Sequence, residues 1–196
     1  MTDGTLTERQ FSQAAEQFLE LSRNIEDGWE LIRPETGTVF LRKRLMQTLN
    51  SSSITQEDND FEELIDDDPS VAVPNSDYAD EEVYQFEYHV VYSESYQVPV
   101  LYFNAYRSDG TILQLEQAWN GFRDLATESR EQLKQTLTQM EHPALFKPFL
   151  ALHPCKTAQV LGNVSGLGGN PLVTFISSYG PFVNLSLDLR YAGLVE

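Results

Sequence analysis

Twelve of the 26 residues from Glu57 to Glu82 are acidic, and no Lys or Arg occurs between Leu45 and Tyr106. Such a run cannot bury itself, because ionised carboxylates taken out of water cost far more than their few apolar neighbours return. Residues 48–82 are therefore expected to form a flexible, solvated insert, and the packed domain must be assembled from what lies on either side. Phe61, Leu64 and Ile65 are the apolar anchors this insert would offer if it docked on a basic partner; otherwise it is a solubilising spacer. The formal charge of −17 argues against nucleic acid as a partner, since a polyanion is repelled. The 196 residues are expected to make one domain spanning 1–196, able to bury about 70% of the surface its unfolded chain exposes. "MTDGTLTERQ" has neither the basic nor the apolar region of a secretion signal, and no run of 18 apolar residues occurs. A soluble, cytoplasmic chain without membrane insertion is the expectation.

The period of the apolar residues changes along the chain. Phe11, Ala14, Phe18, Leu21 and Ile25 recur at helical spacing after Thr5 and Glu8, which predict a capping box. "WELIR" and "TVFLRKRL" flank a turn at Pro34 and Gly37 and predict a β-hairpin. "VYQFEYHVVYSES" and "VPVLYFNAYR" predict two more strands, joined near Tyr96 and Gln97, with Pro99 marking an edge or irregularity. "ILQLEQAWNGF" and "ESREQLKQTLTQM" read as helical or mixed, and Pro143, Pro148 and Pro154 exclude a continuous helix between Met140 and Cys155. Gly162, Gly166, Gly168 and Gly169 predict a connection before a helix that Asn170 and Pro171 open and Gly180 ends. "FVNLSLDLR" alternates like a half-buried strand. The expected class is α+β: an N-terminal helix, a four-stranded antiparallel sheet, a cysteine loop, a helix and a C-terminal strand.

Cys155 is the only cysteine, so it forms no internal disulfide, and with three scattered His it gives no metal site. Three readings of this thiol stay open. It is a small buried hydrophobe, although His153, Pro154, Lys156 and Thr157 make a polar, stiffened setting unlike a core. It is the nucleophile of a cysteine hydrolase, for which His153, two positions away, is the nearest base; no protease or caspase signature surrounds it. Or it is a carrier thiol that takes an acyl group as a thioester and hands it to an amine. That chemistry asks for an accessible sulfur, exclusion of water and a positioned amine, with no cofactor.

"HPCKT" at 153–157, closing the run "EHPALFKPFLALHPCKT" from Glu141, resembles the E2-like conjugating enzymes of autophagy. The Lys-Thr after the cysteine is similar to the branch that joins a ubiquitin-like modifier to another protein, the autophagy-related protein ten family; the lipid-conjugating branch tends to carry Arg-His there. "EYHVVYSESYQVPVLYFNAYRSDGTIL" (87–113) resembles the paired central strands of that branch, and "LVTFISSYGPFVNLSLDLRYA" (172–192) its C-terminal helix and strand. The resemblance implies one E2-like domain without cofactor. In it, Cys155 takes the modifier (the twelfth autophagy-related protein) from an E1-like activating enzyme (the seventh). It then passes the modifier to a lysine of the acceptor protein (the fifth) in autophagosome formation. It also implies that His153 and a tyrosine of the central hairpin, Tyr96 with Tyr92 in reserve, place the acceptor lysine. A departure from ordinary ubiquitin E2s is that His-Pro abuts Cys155 and no Asn lies between Phe122 and Leu161, so the oxyanion must be held by another group. A non-catalytic module that binds the target, or a cysteine hydrolase acting on the modifier, are the alternatives.

Overall fold

The computed structural model describes residues 4–35, 37–50, 81–122, 136–164 and 169–194. The first helix, α1 (Glu8–Asn24), starts at a capping box built from Thr7 and Gln10, two residues beyond the expected Thr5 and Glu8. The reason is tertiary. The Leu6 amide donates to the Gln97 carbonyl at 2.7 Å, which holds the chain extended until Thr7. Along α1, Phe11, Ala14, Ala15, Phe18 and Leu19 are buried, as the helical spacing of the apolar residues required.

Among the described residues six antiparallel strands follow, where four were expected: β1 (Glu30–Ile32), β2 (Phe40–Asn50), β3 (Glu81–Ser93), β4 (Val98–Arg107), β5 (Leu137–Glu141) and β6 (Pro148–Leu152). Their order in the sheet is β1-β2-β3-β4-β6-β5. The two additional strands form a hairpin whose short apolar run "PFLAL" and mixed "LTQME" carry little period of their own. Pro148 is tolerated because it opens β6, and Pro99 because β6 reaches only Tyr102 and Phe103 of β4, leaving the start of β4 paired on one side. The ladder of β2 and β3 is long and ends on the rung Asn50–Glu81. The expected acidic insert thus begins and ends in paired strand, Thr48–Asn50 and Glu81–Glu82, and the rest of it lies outside the described residues.

Alternate residues of the sheet feed two cores. Leu41, Tyr84, Phe86, Tyr88, Val90, Leu101 and Phe103 face the helices, where Phe11 and Phe18 of α1 meet Leu172 and Ile176. Phe40, Val91, Val100, Tyr102, Phe149 and Ala151 face the other way and are covered by the turn around Ala144. A short helix α2 (Leu115–Gly121) leads toward β5, and α3 (Thr157–Val164) and α4 (Pro171–Tyr179) follow the cysteine. Asn170 caps α4 through its side chain, which accepts from the Leu172 amide, and Pro171 sits in its first turn, as expected. Gly162, expected in a connection, is instead inside α3, while Gly166 and Gly168 lie outside the described residues.

The C-terminal strand expected over 182–190 is absent. Gly180–Val183 is a 3-10 turn, Asn184 turns left-handed at φ 60°, and the Leu185 amide returns to the Gly180 carbonyl. Asp188 then captures the Arg190 amide and guanidinium, opening a second 3-10 segment, Leu189–Leu194. Winding of this kind buries Val183 and Leu185 alternately without pairing them, so it imitates the period of a strand. Tyr191 from that segment stacks on Phe18 with centroids 4.6 Å apart and donates its hydroxyl to Asp27, which also holds Lys43 at 2.6 Å.

Candidate active site

Strand β6 delivers the chain to His153, whose amide donates to the Thr136 carbonyl at 2.7 Å. Pro154 then starts a 3-10 turn, Pro154–Lys156, where a missing N–H costs nothing, and α3 continues directly from it. Cys155 sits on this turn as an exposed free thiol, which removes the reading of a buried hydrophobe. His153 does approach Cys155, but by a different contact from the one an extended segment would give. Its Nδ1 accepts the Cys155 amide N–H at 3.2 Å, so the ring caps the turn.

That single bond fixes the chemistry open to His153. An Nδ1 that accepts has its lone pair committed, and the neutral ring then carries its proton on Nε2. In that tautomer His153 presents its Nε2–H as a donor, while its Nδ1 holds the Cys155 amide. Tyr96 lies on the turn between β3 and β4, 44% exposed, with its ring edge-on to that of His153 at 5.8 Å and 80°. The structure therefore brings Cys155, His153 and Tyr96 together. Tyr92, the reserve, is elsewhere: it is buried, its ring packs on Phe11, and its hydroxyl donates to the Leu6 carbonyl at 2.6 Å.

The other two histidines are spoken for. His89 and His142 are both 0% exposed and belong to the opposite face of the sheet, between Phe40 and Phe149. His142 Nδ1 accepts from the Ala144 and Leu145 amides, so its Nε2–H donates to His89 Nδ1 at 3.1 Å. His89 Nε2–H in turn donates to Glu87 at 2.9 Å, and Arg44 completes the chain on the other carboxylate oxygen. Burial holds His142 down to about 4 and His89 below the ordinary imidazole value, while the hydrogen bond from His89 pulls Glu87 down to about 2. A pairing of residues 53 positions apart leaves no local pattern, so the sequence could not signal it. A cleft of about 300 Å³ on this second face runs under the turn that carries Tyr96, between Ser93, Glu94, Thr38 and Pro143.

Comparison with known proteins bears on the same residues. The family model of the autophagocytosis-associated protein active-site domain matches residues 10–190, a span that includes Tyr96, His153 and Cys155. The ubiquitin-like-conjugating enzyme ATG10 of Homo sapiens is 35% identical to the chain, over 97% of this chain and 94% of that protein. The ATG10 enzyme of Arabidopsis thaliana is 28% identical over the same shares of both. Autophagy-related protein 3 of Yarrowia lipolytica is 35% identical, but over 53% of this chain and 26% of its own length. An α+β sheet that presents an exposed thiol at the start of a helix, and likeness along nearly the whole length, agree: the chain belongs to the ATG10 family of E2-like ubiquitin-like-conjugating enzymes of autophagy.

Proposed function

We propose that Cys155 is the carrier of this transferase. It takes the C-terminal glycyl group of a ubiquitin-like modifier from an E1-like activating enzyme and passes it to an acceptor lysine. The observation that carries this reading is the exposed thiol beside His153 and Tyr96 in a chain of this family. Loading exchanges one thioester for another: the Cys155 sulfur bonds to the glycyl carbonyl carbon, the bond to the E1 sulfur breaks, and the proton lost from Cys155 returns to the E1 thiol. Discharge is aminolysis. The lysine nitrogen attacks the same carbon, the bond to Cys155 Sγ breaks with its electron pair on sulfur, and a proton from the amine restores the thiol.

His153 and Tyr96 line the approach of that amine. With its ring proton on Nε2, His153 suits the oxygen that becomes negative as the nitrogen adds. The twelfth autophagy-related protein as modifier, the seventh as activating enzyme and the fifth as acceptor complete the proposal, supported by the family. No helix of the described residues is long and apolar enough to cross a membrane.

A hydrolase is not favoured, because the lone pair of His153 Nδ1 is held by the Cys155 amide while His89 and His142 are buried on the other face. Cys155→Ser is expected to trap the modifier as an oxyester that survives reducing agent and yields no conjugate. The wild-type thioester should be cleaved by excess thiol reagent and, without such reagent, should be discharged only when acceptor is added. Release of free modifier without acceptor would favour hydrolysis, and unchanged function in Cys155→Ala would favour a binding module.

A further inference from the structure

The segment ahead of α1 touches both walls of the site. The Leu6 amide donates to the Gln97 carbonyl at 2.7 Å, and the Leu6 carbonyl accepts the Tyr92 hydroxyl at 2.6 Å. Gln97 follows Tyr96 directly and closes that turn at φ 54°, its amide returning to the Ser93 carbonyl at 2.7 Å. Leu6 is thus bonded to the base of the turn from which Tyr96 projects. Two residues earlier, Gly4 is buried at φ +80° against α3. A Cβ there would stand 1.7 Å from the Ala158 carbonyl oxygen and 2.5 Å from the Gly162 nitrogen. Only glycine fits this backbone and this gap. Ala158 lies three residues beyond Cys155, in the helix that the cysteine turn opens.

We propose that Gly4–Thr7 is a strap that sets the spacing between the Tyr96 turn and the Cys155–α3 unit. Gly4, Leu6 and Tyr92 are then positioning residues for discharge. This inference rests on the transfer role of Cys155 and adds residues to it. Tyr96 and His153 meet through one edge contact in which Tyr96 is half exposed, a contact too weak to hold a hairpin turn in place by itself. The strap supplies what that contact lacks: two short hydrogen bonds to the hairpin at one end and a backbone-to-backbone contact with α3 at the other. Its far side is anchored where Thr7 caps α1 and where Phe11 packs on the Tyr92 ring at 5.5 Å. Loading needs only an exposed sulfur, whereas discharge needs a lysine amine held in line with the thioester carbon. An error of about 1 Å in that alignment is enough to slow a reaction strongly.

The test compares wild type, Tyr92→Phe and Gly4→Ala in two steps. Each chain is first charged with the ubiquitin-like modifier by the E1-like enzyme, and discharge is then followed with free L-lysine as the amine probe. Tyr92→Phe keeps its ring on Phe11 and loses only the bond to Leu6. It should load within about twofold of wild type and discharge roughly tenfold more slowly, with Gly4→Ala slower still. In both folded variants the His153 ring signals should shift in NMR spectra, although neither residue touches that ring. Wild-type discharge by a folded Tyr92→Phe overturns the strap, and so does equal slowing of both steps. If Gly4→Ala does not fold, Tyr92→Phe decides alone. A wild-type chain that never takes up modifier on Cys155 would instead overturn the transfer role, so the two failures are distinguishable.

Discussion

Acid should weaken this protein well above the range in which carboxylates titrate, and the buried His89–His142 pair is the reason. His142 is 0% exposed and held at about 4, against an ordinary value of 6.5. The unfolded chain therefore binds the proton first. Stability is full above pH 6.5 and falls as the pH drops toward 4. For one group with these two values, the loss between pH 7 and pH 5 is about 2 kcal/mol. His89, lowered by the same burial, adds in the same direction. Glu87, which faces His89 together with Arg44, titrates later: its stabilisation is complete above 4.5 and is lost toward about 2. The window from pH 7 to pH 5 consequently isolates the histidines. Urea unfolding followed by tryptophan fluorescence at pH 7, 6 and 5 measures the slope. His142→Asn retains an acceptor for the Ala144 and Leu145 amides and removes the titrating ring, so it should flatten the dependence by that amount. Equal losses in wild type and variant across this window would refute the argument.

His153→Ala removes the cap of the cysteine turn and the wall opposite Tyr96. In the charging and L-lysine assay, discharge should slow by roughly tenfold and loading by much less, and equal slowing would remove its assignment to the amine. Asp27→Ala strands Lys43, whose side chain is 6% exposed, and takes one partner of the Tyr191 hydroxyl. The cost should be about 3–5 kcal/mol in urea unfolding, and the double variant Asp27→Ala/Lys43→Met should recover much of it. Recovery is the decisive reading, since a pair that merely packs would show additive losses.

What could be read from the residues alone was what local physics decides. The apolar face of α1, the Asn170–Pro171 start of α4 and the β-branched runs of β3 and β4 each carry their own signal, and the structure follows them. The polar neighbours of Cys155 weighed against a buried thiol without deciding it, and the thiol is exposed. The misreadings occur where tertiary contacts override a local pattern. Thr5 has the chemistry of a cap, but Leu6 is bonded to a residue 91 positions later and defers the helix to Thr7. The run "LSLDL" alternates, yet it pairs with no strand and the left-handed Asn184 turns the chain just before it. Strands β5 and β6 are five residues each and depend on each other for definition. The partnership of His89 with His142, and that of Gly4 with Ala158, exist only once the sheet has formed.

The closing rung of the β2–β3 ladder has a consequence for how such a chain can change over time. Asn50 and Glu81 stand opposite each other as register partners, so the connection between them begins and ends at neighbouring points of the sheet. Lengthening that connection costs only about 0.6 kcal/mol of closure entropy per doubling. The far end of this hairpin is therefore a point at which a change in chain length is cheap, since the ladder from Phe40–Val91 to Asn50–Glu81 fixes both of its ends.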